Sequence, residues 1–482
     1  MKIAILFLIS FTGSLLAQTN ADFCIAKTDS LYSSIFKEKR EILVYVPQPD
    51  NPYVKTETYP VLYLFDGAKS FMKTVAMIDH LSSDYGSYRC PKMIVVAVEH
   101  PDRFKDLFPN TAKDNKDGVD DFGKFMEQEL IPYIDKKYPT QPYRTVVGHS
   151  LGGLRVAHSL VYQSQLFNSY IALDPSLGHD MNVWSNKARD VMKQKSFNNT
   201  SLFIAMAHTM PKTMDIKDIK RDTTGHSRHM RTIMQFADDI SINKNQGLQF
   251  DWKYYPNETH SEVTFSGTFD GLYAVFAWYF NPNQEQILDA KRSPNEAVNV
   301  VATHYQLISN KMGYKVVPSE SYITRLVEIL VNKQMLDNAV AFAEYNFTNF
   351  PESELAYYYV NYAKWGDKKL LVDLLPQKSA NDIAKLCMAE AKKVTPTYNI
   401  SEMAINELAY QLLQANKLSD ALEFFKLNTI LYPKSGNTFD GYGECLLLMG
   451  KEKEGIAAYK KSLELNPANT NAEAVLKKYN SK

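Results

Sequence analysis

The chain changes hydrophobic rhythm part-way along its length. Over 41–280, short apolar and β-branched runs alternate with stretches of helical spacing. The candidate strands are 42–46, 61–65, 94–98, 145–148, 170–173, 202–206 and 250–255. Several are apolar at consecutive positions, the pattern of strands covered on both faces in a mostly parallel sheet. Between two of them, Phe122, Phe125, Met126, Leu130 and Ile134 recur at helical spacing. They predict a helix over 121–138, bent or tightened by Pro132. Alternating β and α elements of this kind predict an α/β domain built on a doubly wound sheet.

After Asn281-Pro282-Asn283 the strand rhythm stops, and the rest reads as helices. Ile405-x2-Leu408-Ala409-x2-Leu412, then Ala421-x3-Phe425, then Pro433, follows the tetratricopeptide pattern. Phe439-x2-Tyr442-Gly443-x2-Leu446, Gly455-x3-Tyr459 and Pro467 repeat it, with the two prolines 34 residues apart (467 − 433). Small residues at Ala409/Gly443 and Ala421/Gly455 allow paired helices to approach, and Phe425 and Tyr459 fill the space between them. A weaker copy runs Ile323, Leu326, Leu330, Ala339 to Pro351, out of step with the 34-residue period. Residues 471–479 suit a capping helix. Two clear repeats are marginal as a free solenoid, so they are expected to lean on the helices before them. The expected domains are 18–283 and an all-α tetratricopeptide-like region at 284–482, clearest over 402–469.

The start of the chain stands apart. Met1-Lys2, an apolar run from Ile3 to Phe11, and Gly13-Ser14-Leu15-Leu16-Ala17 have the layout of a secretory signal peptide cut near Ala17. The run is too short for a permanent span, so the mature protein is expected to be periplasmic or secreted and soluble. The 482 residues carry 54 basic and 54 acidic side chains with no basic block, which argues against nucleic acid as a partner. Cys24, Cys90, Cys387 and Cys445 show no metal-like spacing. Export would permit a Cys24–Cys90 disulfide, with buried free thiols as the alternative.

The chemistry centres on Val146-Val147-Gly148-His149-Ser150-Leu151-Gly152-Gly153. A short strand enters Gly-x-Ser-x-Gly and a helix-compatible run follows, the context of a nucleophile elbow. The tight turn crowds Gly148 and Gly152, and Ser150 is the candidate nucleophile. The N–H of Leu151 is one candidate oxyanion donor, and Gly67 or Ala68, after strand 61–65, supplies the other.

In this fold the acid and the base follow the serine along the chain. Of His179, His208, His226, His229 and His260, only His260 lies in a loop after the last strand, and it is the expected base. The acid is sought beyond strand 202–206, where Asp222 is the first choice, Asp215 the second, and Asp218 and local Glu258 remain open. Arg103 and Asp106 follow strand 94–98, at the end of the sheet where α/β ligands bind. They are candidate substrate contacts, or an internal ion pair that fixes the loop.

Tyr59-Pro60-Val61-Leu62-Tyr63-Leu64-Phe65-Asp66-Gly67 resembles a segment of the esterase family of the α/β-hydrolase superfamily. That family is siderophore (enterochelin) esterase-like and related to S-formylglutathione hydrolase. Further matching motifs are Arg103-Phe104-Lys105-Asp106-Leu107-Phe108-Pro109, Glu129-Leu130-Ile131-Pro132-Tyr133-Ile134, and Asn257-Glu258-Thr259-His260. The resemblance covers 30–280 and implies roles for Ser150 and His260. Two positions depart from it. Ser261-Glu262 stands where the family has Gly-Ser after the histidine, and Phe108 replaces a threonine.

These observations together predict an exported serine esterase acting through a Ser-His-(Asp) acyl-enzyme, without metal or cofactor, on a small-molecule or polysaccharide-linked ester. The alternatives are a partner-binding tetratricopeptide protein with a weakly active hydrolase scaffold, or a serine acyltransferase or peptidase.

Overall fold

A computed structural model describes residues 25–480 apart from 50–56, 84, 86, 110–117, 180–182, 242–246, 281–282, 352, 366–367, 370, 394–395 and 468. The leader at 1–17 and Cys24 lie outside the described residues. The chain divides into two compact units, one of residues 1–47 and 58–277, the other of 48–57 and 278–482.

The first unit holds one eight-stranded sheet: β1 (Lys27–Ser33), β2 (Glu38–Tyr45), β3 (Tyr59–Phe65), β4 (Ile94–Val98), β5 (Thr140–His149), β6 (Ser169–Leu173), β7 (Thr200–Ala207) and β8 (Leu248–Tyr255). Their spatial order is β1-β2-β4-β3-β5-β6-β7-β8. β1 and β2 pair antiparallel, as do β2 and β4, and every other pairing is parallel. This is an α/β-hydrolase sheet. β3, β4, β6 and β7 are buried at every position, as their unbroken apolar runs require. β8, on one edge, alternates in burial, and β1, on the other, is mostly polar and exposed. That polarity is why β1 escapes a search for apolar runs.

The helices of this unit are α1 (Gly67–Ser82), α2 (Arg103–Leu107), α3 (Asp121–Phe125), α4 (Ile131–Lys137), α5 (Leu151–Tyr162), α6 (Val183–Met192), α7 (Arg228–Ser241) and α8 (Val263–Val275). The helix expected over 121–138 is present with a π turn at Met126–Leu130 between α3 and α4. Pro132 sits just after that turn. Its ring would crowd the carbonyl four residues earlier, and widening the preceding turn relieves the clash without ending the helix.

In the second unit, α9 (Gln284–Ile287), α10 (Pro294–Met312), α11 (Glu320–Asn332), α12 (Leu336–Asn349), α13 (Glu354–Trp365), α14 (Ala380–Glu390), α15 (Glu402–Gln414), α16 (Leu418–Leu431), α17 (Gly436–Leu448), α18 (Glu452–Leu465) and α19 (Thr470–Asn480) follow one another. Short helix pairs recur. A Cβ on Gly443 would come within 2.9 Å of the Tyr459 ring, and one on Gly455 within 2.7 Å of Leu447.

The α11–α12 pair repeats a polar device of α15–α16. Asn346 Nδ2 donates to the Glu320 carbonyl, as Asn428 Nδ2 does to that of Glu402. Ser353 donates to the Glu320 carboxylate, as Ser435 does to that of Glu402. Each equivalent pair is offset by 82 positions (402 − 320). The weak copy ending at Pro351 is therefore built like the clear one ending at Pro433, although that offset is not a multiple of 34.

Candidate active site

Sheet register assembles the site. β5 and β6 pair with His149 opposite Leu173, so Ser150 and Asp174 leave neighbouring strands at the same level. The Ser150 N–H donates to the Leu173 carbonyl at 3.0 Å, and the Ser176 N–H to the Ser150 carbonyl at 3.0 Å. Ser150 has φ 58° and ψ −113°, a strained conformation for a non-glycine residue and the geometry of a hydroxyl displayed on a sharp turn. A Cβ on Gly148 would fall 2.3 Å from the Gly152 carbonyl oxygen, so a side chain there is incompatible with the elbow. The Ser150 hydroxyl lies 3.1 Å from that of Ser176.

The carboxylate nearest His260 belongs to Asp174, which is fully buried at the end of β6. Its Oδ2 lies 2.5 Å from His260 Nδ1 and its Oδ1 accepts the Ala207 N–H at 2.9 Å. His229, on α7, places Nε2 3.0 Å from the same Oδ2. Burial by itself would raise the Asp174 carboxyl pKa. The hydrogen bonds from His229 and His260, the charge of His229 and the Ala207 N–H outweigh it and hold the group well below the usual carboxylate range. An ionised carboxylate only accepts, so both imidazole nitrogens facing it carry protons. That leaves Nε2 of neutral His260 as a proton acceptor.

Asp222 and Asp215, expected as the acid, are elsewhere. Asp222 accepts from Thr224 at 2.7 Å and Ser227 at 2.5 Å and pairs with Arg231, which fastens the turn before α7. Asp215 is exposed and caps the Lys217 N–H at 2.9 Å. The correction has a physical cause. The segment after β7 is tied down by His208, whose N–H donates to the Glu258 carbonyl at 2.9 Å, while β6 delivers Asp174 directly to the level of Ser150. The sign in the sequence is Leu173-Asp174-Pro175, an aspartate directly after a fully apolar strand.

His149 also belongs to the cluster. Its Nε2–H donates to the His260 carbonyl at 2.7 Å, and the two rings lie 4.5 Å apart. Burial first, and the nearby His260 second, push its pKa down to about 4, so it stays neutral beside the base. The loop carrying His260 is closed by Glu262, which accepts from the Thr259 N–H at 2.9 Å and hydroxyl at 2.7 Å. The departure at Ser261-Glu262 thus supplies a carboxylate that ties the His260 loop together just before α8.

At the other side, Asp66 has φ 58° and leads into Gly67, the first residue of α1. A Cβ on Gly67 would lie 2.3 Å from the Ala97 Cβ, so only glycine fits this close approach to β4. Gly67 and Ala68 open α1 and Leu151 opens α5, where N–H groups have no acceptor within their own helix. Arg103 donates to Asp66 through Nε at 2.5 Å and Nη2 at 2.8 Å, and to the His149 carbonyl at 3.2 Å. Arg103 thus braces Asp66 and the elbow strand, and it does not pair with Asp106.

Asp106 is not a substrate contact. It is fully buried, paired with Arg40, and 3.1 Å from His100 Nδ1. Only a salt-bridged carboxylate is stable at that depth.

Asp174, His229 and His260 also bring three metal-type donor atoms within 4.8 Å of one another.

Residues 33–271 match the family model Esterase, described as "Putative esterase". The chain is 26% identical over 265 residues to the ferri-bacillibactin esterase BesA of Bacillus subtilis, covering 51% of this chain and 88% of that protein. It is 28% identical over 154 residues to a siderophore triacetylfusarinine C esterase of Aspergillus fumigatus, covering 29% of this chain and 50% of that one. Among solved structures, an IroE-like serine hydrolase from Shewanella oneidensis is similar with TM-score 0.53 and 27% identity, over 67% of this chain and 99% of the other. On these matches the chain belongs to the esterase family of the α/β-hydrolase fold.

Proposed function

We propose that this protein hydrolyses a small-molecule carboxylic ester through an acyl-enzyme on Ser150. The observation that carries the reading is the Asp174–His260 pair at 2.5 Å, with Asp174 leaving its strand at the level of a serine in elbow conformation. His260 Nε2 takes the Ser150 proton as Oγ attacks the ester carbonyl, then returns it to the departing alkoxide. Asp174 holds the ring in the tautomer this needs and balances the imidazolium. The Leu151 N–H and that of Gly67 or Ala68 receive the developing oxyanion. Water, activated by His260, releases the acyl group.

The named relatives act on siderophore esters, which makes that class the first substrate to try. The helical unit is proposed as a tetratricopeptide-type docking surface for a protein partner, and the leader at 1–17 as an export signal. The decisive experiment is hydrolysis of short p-nitrophenyl esters and labelling by a fluorophosphonate. Both are expected to disappear in Ser150→Ala, and hydrolysis persisting at the wild-type rate would refute the mechanism.

A further inference from the structure

Two histidines reach one carboxylate oxygen at this site, and a serine-hydrolase mechanism uses only one of them. His260 Nδ1 is 2.5 Å and His229 Nε2 3.0 Å from Asp174 Oδ2, with the two rings 5.4 Å apart. Their side chains are 37% and 27% exposed, while Asp174 is fully buried. The set therefore has a closed floor and an open outer side. Two imidazoles and one carboxylate are the donors that zinc prefers, and three protein ligands with an open fourth position is a familiar zinc arrangement. Tetrahedral bonds of about 2.0–2.1 Å place donor atoms roughly 3.3 Å apart. The two separations from Asp174 Oδ2 reach that value by opening less than about 1 Å, and the third, between the two ring nitrogens, lies within 4.8 Å, a range that side chains facing solvent can adjust. His149 is not a fourth ligand, because its Nε2–H is held by the His260 carbonyl.

We propose that Asp174, His229 and His260 form an inhibitory site for a divalent cation of the zinc class. The inference rests on the reading of His260 as the base. Metal binding at Nδ1 of neutral His260 moves the ring proton from Nδ1 to Nε2, and the bond at Nε2 of His229 moves its proton to Nδ1. No proton is released and nothing is oxidised. The consequence is chemical rather than steric. Nε2 of His260 then carries a proton and cannot accept one from Ser150, while Asp174 is withdrawn from its role behind the ring. The cation switches off the base by fixing the wrong tautomer, and its removal restores it.

The test uses the full chain in chelator-free buffer. Zinc chloride is expected to suppress p-nitrophenyl acetate hydrolysis and EDTA to restore it. Magnesium chloride at the same concentration should have no effect, because magnesium prefers oxygen donors. Zinc binding is measured separately by equilibrium dialysis on Ser150→Ala protein, where no turnover is needed. One zinc is expected there, weakened about tenfold or more by adding His229→Gln, and similarly by adding Asp174→Asn. Binding unchanged by either substitution, or equal suppression by magnesium, would overturn the site. Activity that survives Ser150→Ala would instead overturn the mechanism, and the dialysis result would still stand on its own.

Discussion

Asp174 Oδ2 sits 2.5 Å from Nδ1 of His260, and the two residues are joined by strand register and not by chain proximity. The pair makes a direct contrast with the aspartate expected from loop position. Asp174→Asn is expected to lower kcat by about 10⁴-fold, because an amide donor stabilises the wrong imidazole tautomer. Asp222→Asn should stay near the wild-type rate and lose some thermal stability. Steady-state kinetics on the two variants distinguish them. Similar losses in both would remove Asp174 from its proposed role.

Gly67→Ala tests the oxyanion side. Its new methyl group has to displace Ala97, and α1 can only move away from β4 and carry its first N–H groups with it. The expected result is a fall in kcat of about 10²-fold with a smaller change in KM. Circular dichroism on the same sample establishes that the variant is folded.

His158 offers a pH prediction distant from the reacting atoms. Burial, then the charge of Arg155, push its pKa down to about 3 against an ordinary 6.5. Between these values the unfolded chain binds the extra proton and the folded one does not, so stability falls as pH drops from 6.5 towards 4. The linked loss amounts to up to about 3 kcal/mol. Urea unfolding across that range should show a shallower decline for His158→Gln than for the wild type.

Arg40 and Asp106 are a buried pair, and removing one partner strands the other's charge. Arg40→Ala is expected to cost about 3–5 kcal/mol in urea unfolding. KM measured well below the transition should remain near the wild-type value, since Asp106 is fully buried. A selective rise in KM would reinstate it as a binding residue.

In the helical unit, Asn428→Ala removes the buried bond to the Glu402 carbonyl at 2.9 Å. The carbonyl keeps its bond within α15, so losing this second one costs about 0.5–1.5 kcal/mol. Hydrogen exchange should accelerate in α15 and α16 while the sheet of the first unit keeps its protection.

Much of this molecule is written in local patterns. Unbroken apolar runs mark β3, β4, β6 and β7, because a strand covered on both faces tolerates little else. The crowding of the elbow demands Gly148, and the helical period marks the second unit. Ser150 and the loop of His260 are recognisable because each lies next to such an element. The edge strand β1 is not, since a strand open to solvent has no need of apolar residues.

The partners across space are another matter. Asp174, His229 and His149 meet His260 from three different elements, and no spacing along the chain encodes that meeting. Likewise Asp106 looks like a polar loop residue until Arg40 is seen from a distant strand. Periodicity and turn chemistry act over a few residues, so the amino-acid order alone specifies the strands, the helices and the kinked serine. Register between strands acts over tens of residues, and only the packed sheet decides which carboxylate stands behind the imidazole.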